Sequence, residues 1–189
     1  MYKKIVVFVL CLIPIGWFVY RGVNGDLGPD PGKVLVLESG LWALRLLLIT
    51  LAISPIRWYL GYGKLITYRQ MLGLYVWFYA SIHFVAVWTY ILDWKWTTFL
   101  KEFTERPYMA VGICAWLLLL PLGITSNRWS QRKLGRKWKR LHQSVYLIAV
   151  LACIHFLWLV RSDYEEVFLY SLLTAMLLGS RLVQRLRRK

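Results

Sequence analysis

Residues 71–92 read MLGLYVWFYASIHFVAVWTYIL, an apolar run with one histidine, His83, and no Lys, Arg, Asp or Glu. A helix of about 20 apolar residues is long enough to cross the hydrocarbon core of a bilayer. An ionisable side chain inside such a helix is unfavourable in lipid and is therefore a functional candidate. The run predicts a membrane-spanning helix that carries a functional side chain.

Five further apolar runs lie along the chain, at 5–20, 37–56, 108–124, 145–160 and 167–182. Residues that end or begin helices mark their boundaries: Ser54-Pro55 ends the second run and Pro107 opens the fourth. The first run follows Lys3 and Lys4 as a signal peptide would, but no small-residue cleavage site follows it, which favours a retained helix. We predict an all-α bundle of six transmembrane helices, with residues 1–189 forming a single domain and no soluble domain.

The composition favours the same class of protein. The 189 residues are 59% hydrophobic and 17% charged, whereas soluble domains carry about 25% charged residues. This excludes a disordered chain, a disulfide scaffold and most soluble enzymes. The three cysteines, Cys11, Cys114 and Cys153, lie in separate apolar runs and indicate packing rather than disulfides.

The net charge of +15 is distributed unevenly between the two ends of the predicted helices. One end carries seventeen basic residues and no acid, and the other carries all nine acids with six basic residues. The basic end comprises Lys3, Lys4, Arg57, Lys64, Arg69, Arg128, Arg132, Lys133, Arg136, Lys137, Lys139, Arg140, Arg181, Arg185, Arg187, Arg188 and Lys189. The positive-inside rule predicts that this end and both termini are cytoplasmic. Topology and anionic membrane lipid account for the basic stretch 128–140 without a nucleic acid, and an acidic cytosolic partner is an alternative.

Two of the three histidines, His83 and His155, have matched depth on different helices. Each lies 13 residues from the cytoplasmic end of an outward-running helix, counted from Gln70 and His142, or about 20 Å along the axis. Two such imidazoles satisfy the axial ligation of a b-type haem between the third and fifth helices. Each ligand would also need a partner for its second ring nitrogen, with Ser81, Tyr79 or a carbonyl as candidates. The alternatives are histidines that only bond neighbouring helices, and a zinc site, which lacks further ligands at this depth.

The third histidine, His142, is predicted at the cytoplasmic mouth of the fifth helix. Arg69 and Gln70 have the matching depth on the third helix, and neither is a usual haem ligand. An arginine at a membrane edge ordinarily extends to lipid head groups, whereas the functional interpretation is a grip on an anionic cofactor such as a flavin phosphate. Arg45, inside the second helix near the depth of His83, pairs either with an acid such as Glu38 or with a haem propionate.

Several of these segments together resemble a known family. They are GRKWKRLHQSVYL at 135–147, IHFLW at 154–158, RQMLGL at 69–74, IH at 82–83, RPY at 106–108 and LGPDP at 27–31. The chain resembles the MsrQ family, the haem-bearing membrane subunits of the MsrPQ system within the ferric-reductase-like transmembrane superfamily. It departs from the family at Ser39-Gly40 and Ser54-Pro55, where relatives tend to have Thr. It also has one basic residue, Arg69, before the third helix, where relatives can carry two.

The resemblance implies a bacterial inner-membrane, multi-pass protein that binds haem b and FMN. It implies that the protein accepts electrons from the quinone pool or a cytosolic flavin reductase. It also implies that the protein passes them to MsrP, a periplasmic molybdopterin enzyme that repairs methionine sulfoxide. The implied haem ligands are His83 and His155, and the implied cofactor-binding set adds His142, Arg69, Gln70 and Arg45. In the superfamily the two ligand positions nearer the cytoplasm can bind a second haem. His142 is therefore either a flavin-site residue or a second haem ligand with an unusual partner.

Two alternative functions have testable signatures. A ferric-reductase-type cytochrome would deliver the electrons to metal ions rather than to a protein. A proton-relaying transporter would require broken helices or inverted repeats, and the sequence shows neither. We therefore interpret the chain as the redox subunit of an oxidoreductase complex rather than as the catalytic reductase.

Overall fold

The computed structural model describes residues 2–162 and 164–187, and these contain helices but no strand. Asp163, Arg188 and Lys189 of the charge analysis lie outside the described residues. The helices are α1 Tyr2–Val23, α2 Pro31–Leu60, α3 Arg69–Tyr90, α4 Trp96–Glu105, α5 Pro107–Ile124, α6 Arg128–Leu134, α7 Arg136–His142, α8 Val145–Leu159 and α9 Glu165–Leu186, with a 3₁₀ segment at Gly63–Tyr68.

Six helical segments of the described chain are long and apolar enough to cross a membrane. They are Tyr2–Val23, Pro31–Leu60, Gly63–Tyr90, Pro107–Ile124, Arg136–Leu159 and Glu165–Leu186. The predicted all-α fold with six spans is therefore confirmed. The predicted first, second, third, fourth, fifth and sixth runs correspond in order to α1, α2, α3, α5, α8 and α9.

The bundle is built on two closely packed helix pairs, α2 with α3 and α5 with α8. Contacts between the pairs run mainly from α3 to α5 and from α2 to α8, while α9 packs against α2 and α8. Within the described residues α3 and α8 share no extensive packing of their own. The two helices that carry His83 and His155 therefore face each other across the junction of the two pairs.

The second helix does not end at Ser54-Pro55, so that prediction was wrong. It continues to Leu60, with Pro55 inside it, and closes at Gly61 in the left-handed conformation at φ 74°. A proline inside a helix has no N–H for the carbonyl four residues earlier, here that of Leu51. Arg181 of α9 donates from Nη2 to the Leu51 oxygen. The lost helical bond is replaced by a tertiary one, which the local sequence alone does not reveal.

The Tyr79 hydroxyl of α3 bonds to the backbone of α1 beside a proline. Pro14 lies inside α1, and the next backbone N–H, of Ile15, donates to the Tyr79 hydroxyl at 3.3 Å. That hydroxyl in turn donates to the Cys11 carbonyl at 2.8 Å. The side chain therefore bridges two backbone groups of α1 and joins α1 to α3, where helix packing is sparse.

Tyr79→Phe is expected to lower the free energy of unfolding by about 1–3 kcal/mol, because two buried backbone groups lose their partner. Denaturant unfolding in detergent measures the change. Tyr75→Phe is the matched control, since the Tyr75 hydroxyl makes a single bond to the Phe8 carbonyl at 3.1 Å. Equal losses for both variants would contradict the bridging role of Tyr79.

Three short helices occupy connectors that the sequence analysis left without helices. Between α3 and α5, α4 presents Trp96, Phe99, Leu100 and Phe103 at helical spacing, a pattern typical of a helix lying in the membrane interface. In the inner connector, α6 and α7 meet at Gly135, whose φ of 50° permits the turn between them. Pro107 begins α5 at its first position, as predicted.

Candidate functional site

The structure brings His83 of α3 and His155 of α8 together. Their ring centroids are 6.1 Å apart and the ring planes are nearly perpendicular, at 81°. Both side chains are partly buried. The equal depth predicted from residue counting therefore corresponds to direct proximity between two imidazoles on different helices.

Both imidazoles are oriented by backbone carbonyls of the neighbouring helices. The Nδ1 atom of His83 lies 2.8 Å from the Val36 oxygen in α2, and that of His155 lies 2.7 Å from the Tyr108 oxygen in α5. A carbonyl only accepts, so each Nδ1 carries the proton and each Nε2 keeps its lone pair. Of the partners considered from sequence, the carbonyl is correct and Ser81 and Tyr79 are not.

Two glycines make room for these rings. A Cβ at Gly40 would lie 3.0 Å from Nδ1 of His83, and one at Gly112 would lie 2.7 Å from Nδ1 of His155. The sequence analysis did not identify either glycine as a site residue. The available signal was a glycine inside an apolar helix, which is unfavourable there without a packing reason.

Arg106-Pro107-Tyr108 anchors the outer end of α5, where the His155 acceptor lies. The Arg106 guanidinium donates to the Tyr108 hydroxyl at 2.9 Å and forms an ion pair with Glu102 at 2.7 Å. The bond to Tyr108 raises the pKa of Arg106 above its ordinary value, so it stays protonated. This contact fixes the residue whose carbonyl orients His155.

Aromatic rings extend from the histidine pair towards the acid-bearing end of the bundle. Phe84, next to His83, stacks on Trp116 with centroids 3.8 Å apart and planes within 1°. Farther out, Trp88 contacts the rings of Trp94 and Trp96, which are mostly exposed. Within the described residues, the buried Nε1 of Trp116 has no hydrogen-bond partner, and neither has the Oγ of Ser81.

His142 lies at the last position of α7, separated from α8 by a turn at residues 143–144. The assumption of one continuous helix through His142 and His155 was therefore wrong. Its Nε2 lies 3.1 Å from the Thr125 hydroxyl, and its ring stacks on Trp138 with centroids 4.0 Å apart. Since the Thr125 hydroxyl donates to the Pro121 carbonyl, His142 supplies the proton of their bond through Nε2.

Arg69 and Gln70 begin α3 near His142. The Gln70 amide donates to the Ser126 carbonyl at 2.8 Å, which joins α3 to the end of α5. Because Ser126 follows Thr125, the partner of His142, this contact places the start of α3 at the same end of the bundle as His142.

Arg45 contacts the last helix rather than Glu38. Its Nε donates to the Tyr170 hydroxyl at 2.8 Å, its Nη2 lies 3.9 Å from a Glu166 oxygen, and its guanidinium lies over the Trp42 ring at 5.1 Å. The ion pair is long, so most of the Nη donors of Arg45 are not engaged by it.

Comparisons with known proteins identify relatives of the chain. The family described as "Ferric reductase like transmembrane component" matches residues 39–153. The chain is 47% identical to the "Protein-methionine-sulfoxide reductase heme-binding subunit MsrQ" of Xanthomonas euvesicatoria pv. vesicatoria (strain 85-10), over 97% of this chain and 87% of the relative. It is 49% identical to the protein of the same description from Xanthomonas campestris pv. campestris (strain B100), over 90% of this chain and 78% of the relative. No solved structure matches the chain.

Proposed function

The chain belongs to the MsrQ family of heme-binding subunits of protein-methionine-sulfoxide reductase, within the ferric-reductase-like transmembrane proteins, and on that basis we propose that it is a transmembrane electron conduit. It is a multi-pass membrane protein. In the proposed function, residues 1–189 act as a single transmembrane domain of the bacterial inner membrane. The domain passes electrons from the quinone pool or a cytosolic flavin reductase to a periplasmic molybdopterin-dependent methionine sulfoxide reductase, MsrP.

The observation that carries the proposal is the pair formed by His83 and His155. A metal holds an imidazole nitrogen at about 2 Å, so two rings on opposite sides of one metal have centroids about 6 Å apart. The observed 6.1 Å fits that requirement. Metal-binding histidines also commonly donate their second N–H to a carbonyl, as both Nδ1 atoms do.

The residues around the pair fit haem b as the group between them. The two Nε2 lone pairs would hold the haem iron, and Gly40 and Gly112 leave room for both rings. The unpartnered Nε1 of Trp116 lies one helical turn from Gly112 on the same face of α5 and can donate to a polar edge of the cofactor. When bound, haem supplies a one-electron carrier that no side chain of this chain provides.

Arg45 is proposed as a residue that binds a haem propionate. The Tyr170 hydroxyl holds its Nε, and the long pair with Glu166 leaves Nη donors for an anionic group. Charge-assisted bonds of this kind are stronger than neutral ones. Arg45 also keeps a positive charge beside the site without a short carboxylate contact.

The inner site is proposed to bind FMN rather than a second bis-histidine haem. The Nε2 of His142 is engaged by Thr125, and the third-helix residues at this end are Arg69 and Gln70, not a histidine. The stacked rings of Trp138 and His142 offer a flat surface, and Arg69 offers a positive charge. These features suit an aromatic, phosphate-bearing cofactor.

The proposed direction of electron flow follows from the charge distribution. The basic end of the bundle, where His142 and Arg69 lie, is assigned to the cytoplasm together with both termini. His83 lies 14 residues farther along α3, or about 21 Å outward. In this proposal the electrons leave at the acid-bearing outer connectors 21–36, 93–107 and 161–166, where the periplasmic reductase docks.

The purified protein is expected to show b-type haem bands in a reduced-minus-oxidised spectrum. After anaerobic reduction, adding the periplasmic reductase and methionine sulfoxide should reoxidise the haem faster than adding a ferric chelate at equal concentration. Faster reoxidation by the ferric chelate would favour the ferric-reductase alternative. The absence of haem bands would overturn both the electron-conduit proposal and the ferric-reductase alternative.

A further inference from the structure

A cavity between α1, α2 and α3, here called the lateral cavity, is separate from the histidine pair. It has a volume of about 190 Å³, and its uncharged lining includes Trp17, Phe18, Ser39, Trp42 and Tyr79. Neither histidine of the pair, nor either glycine against their rings, lines it. The lateral cavity nevertheless lies close to the pair. Ser39 directly precedes Gly40, which packs against His83, and Tyr79 lies one helical turn before His83 on α3.

Three charged side chains also line the lateral cavity, and one of them lacks a partner. Arg21 donates to the Asp26 carbonyl at 3.0 Å. Arg45 donates to the Tyr170 hydroxyl and is assigned above to a haem propionate. The partly buried carboxylate of Glu38 makes no hydrogen bond or ion pair with any residue that the structure describes. It lies about 10 Å along α2 from the first residue of that helix. An unpaired carboxylate at such a depth in a membrane helix is unfavourable and is therefore a functional candidate.

The lateral cavity is open to a ligand that is dissolved in the bilayer. Helix α1 packs only sparsely against α2 and α3, and the Trp17 side chain at the cavity is 60% exposed. Such a ligand can enter between α1 and α2 without crossing the bundle. An apolar cavity of about 150 Å³ holds one benzene molecule. The 190 Å³ measured here therefore suits one substituted aromatic ring, whose attached chain stays in the lipid.

The lining suits an aromatic ring that carries hydroxyl groups. Indole rings pack favourably against another aromatic ring, and a carboxylate accepts strong hydrogen bonds from hydroxyl groups. A phospholipid head group fits less well, because Glu38 would repel its phosphate. We propose that the lateral cavity binds the head group of a lipid-soluble benzoquinol, with one hydroxyl donating to Glu38 and the ring packed against Trp17 and Trp42. The quinone pool is one of the two electron sources in the proposed function, so this site rests on that function and gives the pool a binding place close to His83.

Isothermal titration calorimetry of the purified protein in maltoside detergent tests the site with a benzoquinone that carries a decyl chain and with its quinol. The quinol is titrated into reduced protein and the quinone into oxidised protein, so that no electron transfer accompanies binding. Glu38→Gln is expected to weaken quinol binding by about tenfold, because a charge-assisted hydrogen bond becomes a neutral one. The same variant should not weaken quinone binding, because the quinone has no hydroxyl to donate. Glu105→Gln makes the same change at an exposed carboxylate of α4 outside the lateral cavity and should alter neither affinity.

A second variant keeps the test valid if Glu38→Gln disturbs α2. Trp17→Leu removes an aromatic face from α1 and leaves Glu38 in place. It should weaken the binding of quinol and quinone alike, by about two- to tenfold, because both forms share the ring. Trp129→Leu is the matched control, since its indole is 67% exposed on α6 and lies outside the lateral cavity. It should alter neither affinity.

Three results would overturn the proposal. The first is an absence of saturable quinol binding to the unmodified protein, and the second is an equal quinol affinity in Glu38→Gln and Glu105→Gln. The third is a phospholipid in the lateral cavity: phosphatidylglycerol would then raise the melting temperature of the delipidated protein, Trp17→Leu would abolish that increase, and the quinol would not bind. The haem spectrum of the same samples reports separately on the proposed function. Haem bands without quinol binding would reject only this site, and quinol binding without haem bands would reject only the electron conduit.

Discussion

Replacing either His83 or His155 with alanine is expected to reduce the haem content of the purified protein by more than about tenfold. Each variant removes one of the two Nε2 lone pairs that would hold the haem iron. The remaining imidazole is still fixed by its carbonyl and has no partner across the site. Pyridine haemochrome absorbance per mole of protein measures the loss.

His142→Ala is the control for this experiment, because it removes a histidine without touching the pair. Its Nε2 is bound to Thr125 and its ring to Trp138, at the far end of α3 from His83. The variant should retain the haem of the outer site and change flavin binding instead. Equal haem loss in all three variants would disprove the assignment of the ligands.

Gly112→Ala is expected to weaken haem binding by about 10–100-fold, the range seen when groups that orient metal ligands are altered. The added Cβ would lie 2.7 Å from both Nδ1 and Cε1 of His155, so the ring must move away from the Tyr108 carbonyl. Gly40→Ala should have a smaller effect on His83, because its Cβ would lie at 3.0 Å. Haem titration of the haem-free protein measures both.

Gly73→Ala is the matched control for the glycine variants. It makes the same change within a membrane-spanning helix, but its Cβ meets no atom within 4 Å. Haem binding should be unchanged, and helix stability should rise by about 0.5–1 kcal/mol. If Gly73→Ala lowered haem binding as much as Gly112→Ala, the effect would come from the helices rather than from the ring positions.

The sequence determined the spans and the meeting of His83 with His155, because hydropathy and helical rise are local, additive properties. It did not determine the acceptors of the Nδ1 atoms. Val36 and Tyr108 contribute backbone oxygens, which every residue has, so no residue type marks them. Gly40 and Gly112, which lie against the two rings, can be recognised as site residues only when it is known that a histidine packs against them.

The errors at Pro55 and around His142 have a common physical origin. A proline predicts a helix end because it has no N–H for the local backbone bond. In α2 the Leu51 carbonyl instead accepts a hydrogen bond from Arg181, which lies 130 residues farther along the chain than Leu51. The depth of His155, counted as 13 residues from His142, assumes an unbroken helix, yet a turn at residues 143–144 separates them. The helix α4 was detectable from its spacing of Trp96, Phe99 and Phe103, but the search for membrane spans passed over so short an element.

The position of one imidazole on each helix pair has a consequence for biosynthesis. During translation α2 and α3 emerge with His83 long before α8 brings His155, and the Tyr108 carbonyl also arrives late. A site with two oriented imidazoles therefore exists only after both pairs have been inserted and docked. Cofactor loading must be among the last steps of assembly, and a chain truncated before α8 would insert in the membrane without a complete site.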